Sequence, residues 1–552
     1  MAKSKSNFLF GTIVLVLTNL ITKVIGAIYR IPLLKTLGSE GLGEYQMILP
    51  IYALFLVISS SGIVVTMSKF VSRETAVKDE RSTKKVLLSG VIIAFASSVV
   101  LSLLLVAISG LLVKYQHINS GVASYLVLVP AIIFGSLLSV FRGYFLGRKQ
   151  MIYSGGAQVV EAGSKLVFSL VLSSKFAQFG FSKAVLGALL GISISEVFAL
   201  IFSVILHFAT RKKHLTKSIH KVKNSKIKCT PCKASSNLSL HSQSRNKKFS
   251  FVLKQVFSFS FFITLQSCIM PLVGAIDSIV IVPLLLRSGI IQPVAYSMFG
   301  LETGVVSSIL ALPTVISTAV GSSIIPNIKN KTASASETKN NIKNAFNIVW
   351  LTTLFCAFVF MLFAKEITVF LYGTGMSNTM FDELAISSDL LKINSFNIIY
   401  LCILSLSISI LQGLEKNKTP VINMGIAAIV RFIFLVVLLS FGYINIYGTA
   451  IADMAFYVVA LILNLREIKK EVNFRFSISK FFVLPIMSCG AVVLSMKLLQ
   501  GLISEFFSQR VFMLLVLAFG VTLYLIFLSI TKVFKFADMV KIFVRKNNVQ
   551  KR

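Results

Sequence analysis

The sequence predicts an all-α integral membrane protein of about fourteen transmembrane helices, arranged as two parallel six-helix lobes plus two C-terminal helices. Three observations carry that expectation. Of the 552 residues, 55% are hydrophobic and 14% charged, with a mean hydropathy of +0.84, whereas soluble domains carry about 25% charged residues. Apolar stretches of about 20 residues, enough to cross a hydrocarbon core about 30 Å thick, recur along almost the whole chain. Lys and Arg gather in alternate breaks between these stretches, the pattern of positive loops held in the cytoplasm.

The first span, 8–34, has no small-residue cleavage site behind it and reads as a retained helix, not a removed signal peptide. The second, 45–68, is followed by the basic residues Arg73, Arg81, Lys84 and Lys85. Spans 86–113, 122–141, 155–174 and 184–207 complete an N-terminal lobe, residues 1–207. Residues 208–250 hold 12 Lys or Arg and no Asp or Glu, with Ser and Asn runs that cannot build a core, and read as a basic cytoplasmic linker. Its charge suits either attachment to anionic headgroups of membrane lipids or a topology anchor. The C-terminal lobe, 251–466, opens on a stretch too long for one straight crossing, 251–286, in which Pro271 and Pro283 predict a kinked or broken helix. Spans 297–325, 345–364, 386–411, 420–441 and 446–465 follow. Residues 467–552 add spans 481–499 and 511–531 and a basic tail with Lys541, Arg545 and Lys546. The alternation of basic loops expects both termini in the cytoplasm of a multi-pass protein of the cell (plasma) membrane. Such one-sided charge also accounts for the net charge of +35 without a nucleic-acid partner.

The two lobes repeat one another. Gly26-Ala27-Ile28 matches Gly274-Ala275-Ile276, and Tyr45 with Met47 matches Tyr296 with Met298. Further on, a constant offset lays Gly147 over Gly413, Lys165 over Arg431 and Leu172 over Leu438. Six spans per half give both halves the same orientation, so they form a parallel repeat of the kind found in several transporter folds.

Chemistry is sparse. Cys268, Cys356, Cys402 and Cys489 fall in apolar stretches and behave as small hydrophobes, so no disulfide framework is expected. Cys229-Thr-Pro-Cys232, near His220 and His241, invites a zinc reading but lacks a second pair at short spacing, and no metal or cofactor is expected. An enzyme is not expected either. There is no phosphate-binding glycine loop and no paired-histidine motif; Gly163-Ser164-Lys165 lacks the upstream spacing. A membrane-embedded transferase would need acids or histidines clustered at the membrane surface, and the five histidines lie in or beside loops. Without a nucleotide site, transport would draw on a Na⁺ or H⁺ gradient, the membrane potential or a partner.

Ionisable residues at membrane depth stand out, because each costs at least about 2.5 kcal/mol at a helix centre. Lys23 lies near the middle of the first span, and Arg30 follows two turns later on nearly the same face, with Gly26 between them. Two cations so placed suit a phosphate or pyrophosphate, while Arg30 could instead snorkel to the outer headgroups. Glu161 and Lys165, four residues apart, can neutralise each other on one helix. Arg431 has Ala427 where that acid would be, so it needs a partner from another helix or from the substrate, and Asp453 is one candidate. Glu196, Asp277, Glu302, Glu161 and Asp453 are the helix-buried acids expected to bind a coupling ion.

Four segments, TKVIGAIYRIPLLKTLGSEGLGEYQ (22–46), SGIVVTMSKFVSRE (61–74), FRGYFLGRKQM (141–151) and QVVEAGSK (158–165), resemble those of the multidrug/oligosaccharidyl-lipid/polysaccharide exporter (MOP) superfamily. Within it the chain is most similar to the group of stage V sporulation protein B and the Gram-positive lipid II flippases. That resemblance implies two lobes around a cationic cavity, a groove at the last two helices for an isoprenoid tail, and an undecaprenyl-pyrophosphate-linked sugar such as lipid II as cargo. It places Lys23 where Gram-negative members carry a cavity arginine and Glu44 near their acid at the start of the second span. The substrate-binding set it implies is Lys23, Arg30, Glu44, Lys165 and Arg431. The chain departs from those members at Leu54 and Phe55, where they carry adjacent arginines, and near Ser308, where they carry another. A drug or cation exporter of the same superfamily is the rival, and the sign of the cavity charge separates the two.

Overall fold

The computed structural model describes residues 2–77, 79–224, 249–328, 335–373, 382–441, 444–472, 482–503 and 509–530. The Cys229–Cys232 pair, His241 and the tail cations Lys541, Arg545 and Lys546 lie outside the described residues. Within them the chain is all-α, with no strand. In order, the helices are α1 (Ala2–Ala76), α2 (Glu80–Gln116), α3 (Ala123–Leu126), α4 (Val129–Gly147), α5 (Met151–Phe176), α6 (Phe181–Asn224), α7 (Phe249–Ser267), α8 (Ile269–Arg287) and α9 (Gln292–Gly300). After a π-helical turn at Leu301–Val306 come α10 (Ser307–Ile328), α11 (Ala335–Leu362), α12 (Ala364–Tyr372), α13 (Glu383–Asn394), α14 (Asn397–Gly413), α15 (Lys418–Ser440), α16 (Tyr447–Glu471), α17 (Leu484–Ile503) and α18 (Gln509–Ile530).

Among the described residues ten helices are long and apolar enough to cross a membrane, or eleven with the bent pair α13–α14 as one span, against the expected fourteen or so. The shortfall has local causes. The first two expected spans run into one helical element, α1. Helix α5 carries Glu161, Lys165 and Lys175 and falls below that apolarity, and the apolar part of α18 is shorter than 18 residues.

The outer surface is that of a protein solvated by lipid. On α15, Ile422, Ile426, Ile429 and Ile433 are 46–66% exposed, while Ala427, Arg431 and Leu435 at the same spacing face inward. Such an apolar stripe would be a liability in water but costs nothing against acyl chains. Inward faces are lined by small residues, as membrane helices require for close approach. On α2 these are Ser89, Gly90, Ala94, Ser98, Ser102 and Ser109. The hydroxyls of Ser89, Ser98 and Ser109 donate to carbonyls one turn back, at 2.7–2.9 Å, so burying them leaves no orphan donor.

Four breaks shape the helices. Gly38 in α1 has φ 70° and ψ 177°, a conformation essentially reserved for glycine, and it turns the chain between two helical runs. The stretch with Pro271 and Pro283 is indeed broken. Helices α7 and α8 part at Cys268, one residue beyond Ser267, whose carbonyl the Pro271 ring would crowd. The eighth expected span contains the π turn around Glu302, and the tenth bends by 48° between Asn394 and Asn397. No proline marks those two places. Asn397 donates to Asn394 Oδ1 (3.0 Å) and to the Ala450 carbonyl (2.8 Å), satisfying polar groups at the bend.

The chain packs as two compact units. The first comprises Met1–Gly26 and Met47–Ile279. In it α5 lies along α6, α4 packs against α2 and α6, and α7 lies on α2, around a core that includes Met67, Phe70, Val86, Val140, Phe145 and Val256. The second comprises Ala27–Gln46 and Val280–Arg552, with α14 between α10 and α16, α15 on α16, and α17 on α11 and α18. Residues 27–46 belong to this unit because the run after Gly38 packs against α9. There a Cβ on Gly43 would lie 1.9 Å from the Tyr296 carbonyl oxygen, so the two backbones touch. Gly43→Leu is therefore expected to destabilise the protein by about 3 kcal/mol or prevent its folding, measured as yield and melting temperature of detergent-purified protein.

Candidate functional site

In the second unit the residues gather around Arg30. Its Nη1 donates to the Gly304 carbonyl (3.4 Å) in the π turn, where the widened helix leaves carbonyls available to outside donors. Tyr29, Tyr45 and Tyr372 lie within electrostatic reach of its guanidinium. The Tyr29 and Tyr45 hydroxyls are 3.2 Å apart, and that of Tyr372 is 2.7 Å from the Ser308 hydroxyl. Glu44 is fully buried and interacts electrostatically with Tyr296, and Glu302 is buried in the π turn itself. Gln46 donates to the Thr303 carbonyl (3.0 Å), and Ser39 bonds both Ser297 (2.9 Å) and the buried Glu383. Lys23, exposed on α1, belongs to the other unit.

The first unit holds its own polar group. Arg142 of α4 forms an ion pair with Glu161 of α5. Glu196 of α6 is buried, accepts from the Tyr52 hydroxyl (3.4 Å), and lies in the electrostatic reach of both Arg142 and Lys165. Glu161 thus has a partner on a neighbouring helix that its own sequence spacing does not reveal. Asp277 is half-buried on α8.

Arg431 finds its counter-charge across helices. Its Nε donates to Asp453 Oδ1 of α16 at 2.6 Å, with the arginine side chain 8% exposed. The same two helices are tied to α14 as well: Asn423 of α15 donates to Asn464 of α16 (2.8 Å) and Asn464 to Ser407 of α14 (3.0 Å). Interhelical side-chain bonds of this kind hold membrane helices where hydrophobic burial cannot.

Sequence reading missed Arg142, Tyr52, Tyr372 and Glu383. Arg142 was legible in part, since it stands in the quoted FRGYFLGRKQM segment, but ending the fourth span at 141 leaves it in a loop, whereas α4 continues to Gly147. No sequence signal marks the tyrosines, whose role comes from long-range packing. Among the described residues no three His, Cys, Asp or Glu side chains are grouped as a metal site.

Helices long and apolar enough to cross a membrane, with a few ion-paired charges between them, define the class of a multi-helix membrane protein. Residues 8–331 match the polysaccharide biosynthesis protein family, and the chain belongs to that family. It is 22% identical to stage V sporulation protein B of Bacillus subtilis (strain 168) over 90% of each chain. It is 23% identical to the lipid II flippase MurJ of the same organism, over 92% of this chain and 90% of that one. Its fold matches a solved inward closed conformation of lipid II flippase MurJ with a TM-score of 0.66 at 14% identity, covering 96% of this chain and all of the other.

Proposed function

We propose that the protein is a flippase that carries an undecaprenyl-pyrophosphate-linked cell-wall precursor, lipid II, from the inner to the outer leaflet by alternating access. The observation that carries this reading is the pair of cations at membrane depth on α1, Lys23 and Arg30, in a chain related along nearly its whole length to a lipid II flippase. In this reading both termini are cytoplasmic, the lobes are 1–207 and 251–466, and 208–250 links them. Arg30 and Lys23 meet the pyrophosphate. Lys165 and Arg431 share their charge with nearby acids and chiefly set the helix positions around the path. Where Gram-negative members carry an arginine near Ser308, this chain supplies Arg30 beside the Ser308–Tyr372 bond.

An inside-negative potential favours outward movement of an anionic headgroup by about 2.3 kcal/mol per charge per 100 mV, so no nucleotide is needed. Glu196, Asp277 and Glu302 are the acids that would couple Na⁺ or H⁺. A cation-exporting role is disfavoured because cationic cargo should meet acids where this chain has Lys23 and Arg30. The second reading, a flippase for another lipid-linked polymer or a sporulation-specific paralogue, is favoured by the similarity to stage V sporulation protein B.

Depletion of the protein from its own cells tests the assignment. Lipid II is expected to accumulate on the inner leaflet, read as a fall in its labelling by an impermeant probe. Unchanged labelling, with a different polyprenyl-linked glycan retained inside, would move the assignment to the second reading.

A further inference from the structure

At the end of α1 and the start of α7 the first unit has a groove of about 560 Å³ whose lining includes Lys69, Arg73, Lys254 and Gln255 with the rings of Phe251 and Phe259. Three cations and no acid line it. Among the described residues none of the three forms an ion pair. Lys69 and Arg73 are one helical turn apart, a like-charge spacing that costs stability unless an anion lies between them. Lys69 holds its ammonium 3.8 Å from the centre of the Phe259 ring, which is packed edge-on against Phe70. The nearby acid Glu74 is buried and lines an adjoining hollow with Lys85. Below the groove α7 exposes a run of apolar side chains, Phe257, Phe261 and Leu265, each at least 55% exposed.

We propose that this groove is a binding site for an anionic glycerophospholipid, its phosphate held by Arg73, Lys69 and Lys254 and one acyl chain lying along the phenylalanines of α7. The chemistry is complementary at both ends. A guanidinium forks onto phosphate oxygens while an ammonium adds a point charge, and the volume is that of a small-molecule site. This site is separate from the cargo reading and does not depend on it.

Native mass spectrometry of the full chain in neutral detergent tests it, with dioleoylphosphatidylglycerol, dioleoylphosphatidylcholine and undecaprenyl phosphate as probes. The wild type is expected to hold phosphatidylglycerol about tenfold more tightly than phosphatidylcholine. The Lys69→Gln, Arg73→Gln, Lys254→Gln triple variant should lose that preference. A control with equal charge removed at exposed positions, Arg81→Gln, Lys84→Gln, Lys339→Gln, should keep it, and Lys254→Gln alone should weaken it partially. A triple variant that folds and still prefers phosphatidylglycerol overturns the site. So does undecaprenyl phosphate displacing phosphatidylglycerol at equal or lower concentration, which would hand the groove to the cargo.

Discussion

Replacing Arg30 by alanine is expected to slow lipid flipping about 100-fold while leaving the protein in the membrane at its normal level. The guanidinium is half-buried, anchored on the Gly304 carbonyl and surrounded by Tyr29, Tyr45 and Tyr372. In such a low-dielectric setting a charge-assisted contact to phosphate is worth far more than at a wet surface, and truncating one partner costs about 3 kcal/mol, or about 100-fold. Arg30→Lys retains charge but loses the two-pronged geometry, and should fall between. The measurement is the rate at which labelled lipid II becomes accessible in proteoliposomes under an imposed potential. A normal rate in Arg30→Ala removes this residue from the transport path. Lys23→Ala, at an exposed position of α1, should give a smaller loss in the same assay.

The second large effect concerns the pair between Arg431 and Asp453. Removing either partner leaves the other charge in an interior that cannot solvate it, at a cost of about 3 kcal/mol. Removing both with apolar replacements, Arg431→Leu with Asp453→Leu, should restore much of that loss, because neither desolvated charge remains. A double-mutant cycle on melting in detergent reads the coupling. Simple additivity of the two single losses would mean that the pair contributes nothing beyond its separate members.

The repeat read in the sequence laid Lys165 over Arg431, and the folded chain gives each of them an acid within reach on a neighbouring helix, Glu196 on α6 and Asp453 on α16. The cations were readable because a charge in an apolar run is conspicuous. Their partners were less so, because which of several acids faces a given cation depends on helix rotation and crossing, which no local pattern records. The seventh-span break was readable from Pro271, since a missing amide and a ring clash act within one turn. The π turn at Glu302 and the 48° bend at Asn394–Asn397 left no such trace. They are set by what packs against them, the run after Gly38 in one case and the Ala450 carbonyl in the other.

By itself, then, the sequence determined that the chain belongs in a membrane, that its apolar spans are helical, and that a few charges lie within them. These follow from composition and periodicity, because lipid forces every backbone amide into a local helix. Only the tertiary structure decided that residues 27–46 pack with α9 and not with the rest of α1, that Arg142 and Tyr52 join Glu161 and Glu196, and that Arg30 sits among tyrosines. Those outcomes depend on contacts between different helices, from Arg142 with Glu161 to Arg30 with Gly304, 274 positions apart. They are won by small side chains such as Gly43 that let one backbone reach another, a preference that becomes visible only when both are in place.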